Sequence, residues 1–137
     1  MPADIAARCE TIEECYEFML GYAGQGLAGE DSGPIRDSLN RVSDALSGIA
    51  DAYSAALKQE KLQSSSDYAA FGSVLEADAR AAHAAVRLVL AQSSISSQLV
   101  DNLNASIHLR SLLTDLFLID EVLKSQRARL NSTASGS

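Results

Sequence analysis

The sequence predicts an all-α protein folded as an antiparallel, up-down-up-down four-helix bundle, and three observations carry that expectation. Apolar residues recur at alternating steps of three and four in four successive segments, the period that lines one stripe along a helix. Hydrophobic residues make up 47% of the chain but aromatic ones only 5%. The apolar share therefore falls to alanine and leucine, which lose little freedom in a helix, and not to the aromatic and β-branched types that favour strands. Short glycine- or serine-rich breaks separate the segments, and short connections set sequence neighbours antiparallel. With 137 residues one core forms without disulfide or metal. A single domain is thus expected over residues 1–130, followed by a small polar tail, 131–137, expected to be disordered.

The first helix, about 4–24, places Ile5, Cys9, Ile12, Tyr16, Met19 and Ala23 on one stripe and Glu10, Glu13, Glu14 and Glu17 outside it. It ends among Gly21, Gly24, Gly26 and Gly29. No lysine with serine or threonine follows these glycines and no strand precedes them, so they read as a flexible hinge and not as a phosphate loop. Cys9 and Cys15, six apart on this helix, point to different sides and cannot bridge each other, which leaves two part-buried reduced thiols.

The second helix, about 34–61, opens on Asp31, Ser32, Gly33 and Pro34, cap residues followed by a proline suited to the first turn. Ile35, Leu39, Val42, Leu46, Ile49, Tyr53 and Leu57 make its stripe, while Arg36, Asp37, Asn40, Arg41, Asp44 and Asp51 lie mainly outward. Gly48 costs about 1 kcal/mol against alanine, and the small residues Ala45 and Ala52 beside it predict close helix contact as compensation. Ser64, Ser65, Ser66 and Asp67 then start the third helix, about 67–91, whose stripe is Tyr68, Phe71, Leu75, Ala79, Ala82, Val86 and Val89. Ser93 and Ser94 mark the break before a fourth helix, about 95–129.

That last helix is apolar on more than one face. Leu109, Leu112, Leu116, Ile119 and Leu123 supply a core stripe, yet Leu113, Phe117, Leu118 and Val122 project elsewhere. Three sister helices cover only one side of an outer helix, so the surplus predicts a second chain, most simply a two-fold homodimer. Leu113, Phe117, Leu118 and Val122 are its expected interface.

Function is expected to be non-enzymatic and to run through protein–protein interaction: self-association or the binding of an accessory, regulatory or chaperone-like partner. A net charge of −7 and a pI near 4.7 argue against nucleic acid, whose phosphates need a basic footprint. No stretch has the apolar length of a membrane span, and the N-terminus lacks the basic and apolar regions of a signal peptide, so no membrane and a cytoplasmic location are expected. No cofactor and no metal site are expected: Glu-x-x-His and Cys-x-x-Cys spacings are both absent from the sequence.

Two alternatives are carried forward. A polar site on the fourth helix, from Asn104, His108 and Arg110, fits a small molecule or anion; Arg110 and Asp120, where buried, read first as a structural ion pair that fixes helix register or dimer geometry and second as an arginine gripping an anionic ligand. The second alternative is phosphotransfer through His83, with Arg80 and Arg87 on its face. Histidine phosphotransfer domains resemble this chain in size and helix count. They carry a lysine three residues after the histidine and usually a glycine next, where this chain has Val86 and Arg87. A plain surface face with Glu76 and Arg80 paired four apart also explains the segment. Lys124, Arg127 and Arg129 complement the helix dipole at the end of the fourth helix.

Overall fold

The computed structural model describes the backbone of residues 3–24, 33–62 and 64–136, with side chains except at 3, 126, 127 and 129–136. The described chain is all-α, with helices α1 (Ala3–Ala23), α2 (Gly33–Ser47), α3 (Ile49–Gln59), α4 (Ser66–Leu90), α5 (Ser97–Ala105) and α6 (His108–Gly136). No strand occurs among the described residues. Gly26, Gly29, Asp31 and Ser32, expected as hinge and cap, lie outside them. The segment 131–136, expected as a disordered tail, continues the backbone of α6.

The apolar stripes become the core. Ile35, Leu39, Val42, Leu46, Ile49, Tyr53 and Leu57 are all buried, as are Leu109, Leu112, Leu116, Ile119 and Leu123. In α1 the buried arc turns by one residue: Cys15 and Tyr22 go inside, and Tyr16 and Ala23 are half-buried. α1 packs against α2, α3, α5 and α6, so its buried face is broader than one stripe, and both thiols are buried and free. α4 packs against α2, α3, α5 and α6.

Two expected helices are each divided. The second breaks at Gly48, and the cause sits on α1. The Arg8 guanidinium donates to the carbonyls of Asp44 (3.2 Å) and Ala45 (3.0 Å), acceptors that the end of a helix leaves without an intrahelical donor. A Cβ at Gly48 would stand 2.6–2.8 Å from that guanidinium, so glycine leaves room for the cap. Arg36 does the same for α4, donating to the Leu90 and Gln92 carbonyls, both at 2.9 Å. At the other end, the buried Tyr22 hydroxyl donates to the Ile95 carbonyl at 2.6 Å. α5 starts on Ser96, whose hydroxyl accepts from the Leu99 amide at 3.1 Å.

The fourth expected helix breaks at Ser106–Ile107. The Ser106 amide donates to the Asn102 and Leu103 carbonyls, and the Ile107 amide to that of Asn104. Ile107 then turns to φ 60° before its own carbonyl accepts from Ser111 to begin α6. A β-branched side chain at positive φ presses Cβ on the backbone, and here it is 56% exposed, so little burial offsets the strain. Ile107→Gly is therefore expected to raise stability by about 1 kcal/mol. An unchanged or lower thermal midpoint would show that the left-handed turn is not strained. Lys61, also at φ 60°, closes α3 in the same way: Leu62 donates to Leu57 at 2.8 Å and Lys61 to Lys58 at 3.2 Å, the paired bonds of a Schellman end.

Candidate functional site

Large apolar side chains stand exposed on α1 (Phe18, Leu20), on α4 (Val74, Leu88) and on the outer side of α6, where three of them lie within six residues. Phe117 is 51% exposed, Leu118 53% and Val122 37%. At about 100° per residue, Leu118 and Val122 fall on one flank of α6 and Phe117 on the other. The Leu118 flank borders a groove of about 320 Å³ lined by Tyr53, Tyr68, Phe71, Leu118, Val122 and Leu123, with Asp67 as its one charged residue. Tyr53 is fixed there by its hydroxyl, which donates to the Tyr68 carbonyl at 2.8 Å. Its ring rests on Gly72, where a Cβ would come within 3.1 Å. Burial raises the Tyr53 pKa, and Tyr68 adds to the rise. This groove explains why Tyr68 and Phe71, expected in the third core stripe, stop at half-buried.

Leu113 does not belong with the other three expected interface residues. It is 6% exposed and part of the chain's own core. α6 packs on α1 as well as on α4 and α5, so its buried arc is wide enough to take in Leu113.

The polar trio on the fourth helix is not assembled into one site. His108 is exposed at the start of α6, and Asn104 is half-buried on α5 with amide atoms that meet no hydrogen-bond partner. Arg110 is exposed and lines a separate pocket with Ile107, Ser111, Thr114 and two acids, Asp78 and Asp115. The turn at Ile107 separates Asn104 from the α6 residues, and the acids make the pocket a poor host for an anion. The expected Arg110–Asp120 ion pair is replaced: Asp120 pairs with Lys124 at 3.1 Å.

His83 is half-buried, and its Nε2 lies 3.2 Å from the Oγ of Ser43, a buried residue of α2. Arg80 is held by Glu76 at 2.7 Å, the surface pairing, and both line a shallow cleft with Asp51 and His83. A phosphoryl group there would meet two carboxylates and a ring nitrogen already engaged.

One pair of residues escaped sequence reasoning. Asp78 and Asp115 meet across α4 and α6, and the Asp115 carboxyl is pushed up to about 7 by burial first and by the hydrogen bond and charge of Asp78 second. The only sequence signal was position: each acid follows three residues after a buried leucine, Leu75 or Leu112. On α1, the Cys9 thiol is pushed up to about 12 by burial, by its hydrogen bond to Glu13 and by nearby carboxylates, which leaves it an inert thiol at neutral pH.

Among the described residues no group of His, Cys, Asp and Glu has the arrangement of a metal site, and no helix is long and apolar enough to cross a membrane. No protein-family model, no curated protein and no solved structure matches the chain.

Proposed function

We propose that this chain is a non-enzymatic helical bundle that works by binding protein surfaces, and that its first partner is a second copy of itself. The single observation that carries the proposal is the apolar outer side of α6, where Leu118 and Val122 stand exposed beside the Tyr68–Phe71 groove and Phe117 stands exposed on the opposite flank. Apolar surface gathered in this way along one helix marks a place of contact. The homodimer is favoured because one long helix carries apolar residues on two flanks. Two such helices crossing about a two-fold axis cover both flanks with the same residues.

The bundle itself is read as four arms: α1, α2 with α3, α4, and α5 with α6. Contacts support a ring in that order, since α1 packs on α2 and α5, and α4 on α2, α3 and α6. Antiparallel neighbours are supported by the register of side-chain bonds. Arg36 near the start of α2 reaches the end of α4, and Tyr22 near the end of α1 reaches the approach to α5. Two free, buried thiols suit a reducing, cytoplasmic setting.

The test is the mass of the full chain. Wild type is expected to sediment as a dimer, and Phe117→Asp with Leu118→Asp to weaken association by about 100-fold or more while the helical circular dichroism stays unchanged. A wild-type chain that remains monomeric, or a doubly substituted chain that remains dimeric, rejects this interface.

A further inference from the structure

We propose that Asp78 of α4 and Asp115 of α6 share one proton that latches the two helices together, and that loss of this proton loosens α6 beside the apolar groove. The proposal gives the binding surface a regulator, and its functional meaning rests on the reading of α6 as that surface.

The geometry favours a shared proton. Oδ2 of Asp115 is buried and meets no N–H or O–H donor, an arrangement that leaves a carboxylate oxygen desolvated without compensation. The Asp115 carboxyl as a group has one neighbour of its own kind, the carboxyl of Asp78, which lines the same pocket and hydrogen-bonds with it. Two carboxylates in contact repel, whereas one proton between them makes a strong O–H···O bond in which one carboxyl donates and the other accepts. The upward displacement of the Asp115 carboxyl to about 7 sets the range in which that bond is lost.

Nothing else around Asp115 supplies the missing donor. Arg110 of α6 lines the pocket, but no ion pair joins it to either acid among the described residues. Thr114 spends its hydroxyl on the Arg110 carbonyl at 2.9 Å. Ile107 and Ser111 complete the lining, and neither is ionisable; α5 contributes no residue to it. The titratable groups of α1 that face α6, Glu13 and the neutral thiol of Cys9, lie towards Asp120, about 140° round the helix from Asp115.

The latch is placed to matter for the groove. Leu118 and Val122 stand one and two turns beyond Asp115, and Phe71 two turns before Asp78, so the same α4–α6 seam runs from the acid pair into the groove. α6 joins α5 only through Ser106 and the left-handed Ile107, a short link about which it can pivot.

The experiment follows the aspartate carboxyl carbons of the full chain by NMR from about pH 4 to about 9, together with amide exchange over 113–122 corrected for its intrinsic pH dependence. One aspartate signal is expected to titrate near neutrality in wild type, and none in Asp115→Asn or in Asp78→Asn. Across the same interval, exchange of those amides should quicken about tenfold in wild type and stay level in Asp115→Asn. Aspartates that all titrate in the ordinary acid range overturn the proposal, as does a near-neutral titration with no change in exchange. A chain that sediments as a monomer at both extremes while both signals persist upholds the latch and sinks only the dimer.

Discussion

Replacing Leu116 by alanine is expected to destabilise the chain by about 3 kcal/mol, while the same change at Leu118, two residues on, costs under about 0.5 kcal/mol in the monomer. Leu116 has no exposed surface and belongs to one core with Leu112, Ile119 and Leu123 of its own helix. Its loss removes transfer energy and leaves a cavity that packed helices fill only in part. Leu118 is 53% exposed, so truncation removes little that folding had buried. Urea unfolding monitored by circular dichroism measures both. In a dimer that uses the α6 flank, the cost at Leu118 grows with protein concentration, whereas the cost at Leu116 includes a large part that does not. Equal costs at the two positions would mean that α6 is rotated from the orientation described here.

The contrast between Leu116 and Leu118 also marks how far the sequence could be read. A stripe at steps of three and four identifies buried residues wherever one face of a helix meets the core, and every member from Ile35 to Leu57 lies where that rule puts it. It fails where a helix is packed from two sides. Cys15 and Leu113, off their stripes, are buried because α1 and α6 each pack against several neighbours, and no one-helix pattern contains that.

The helix breaks were illegible for a different reason. Gly48 weakens its helix locally, but the break is stabilised by Arg8 from another helix, thirty-six and thirty-seven positions away from the carbonyls it caps. At Ser106–Ile107 the sequence offers neither glycine nor proline, and isoleucine is among the residues least suited to a positive φ. Tertiary packing overrides propensity there. The acid pair was hidden in the same way: each aspartate alone reads as a solvated helix flank, and only the approach of α4 to α6 gives the two a common chemistry.

Asp115→Asn is expected to make the chain more stable than wild type at about pH 8 by about 1–2 kcal/mol, with the advantage fading towards pH 4. The direction follows from which state holds the proton. Well below the ordinary carboxyl range, Asp115 is protonated in the folded and the unfolded chain alike. As pH rises, the unfolded chain releases its proton first, while the folded chain keeps it up to about 7 because burial and Asp78 disfavour the charge. Over that interval the unfolded state binds fewer protons than the folded one, so wild-type stability falls, and above about 7 the fall is complete. The magnitude stays below what the full displacement would give, because the pocket is open to water, which screens the two charges. Asparagine carries no charge at any pH, and its amide donates to the Asp78 carboxylate, so the variant escapes the decline. The exposed ion pairs of Asp4, Glu14 and Glu76 are common to both chains and cancel in the difference. Thermal or urea unfolding at several pH values reads it directly. Two stability curves that run parallel from pH 4 to 8 would mean that Asp115 holds no proton that the unfolded chain gives up.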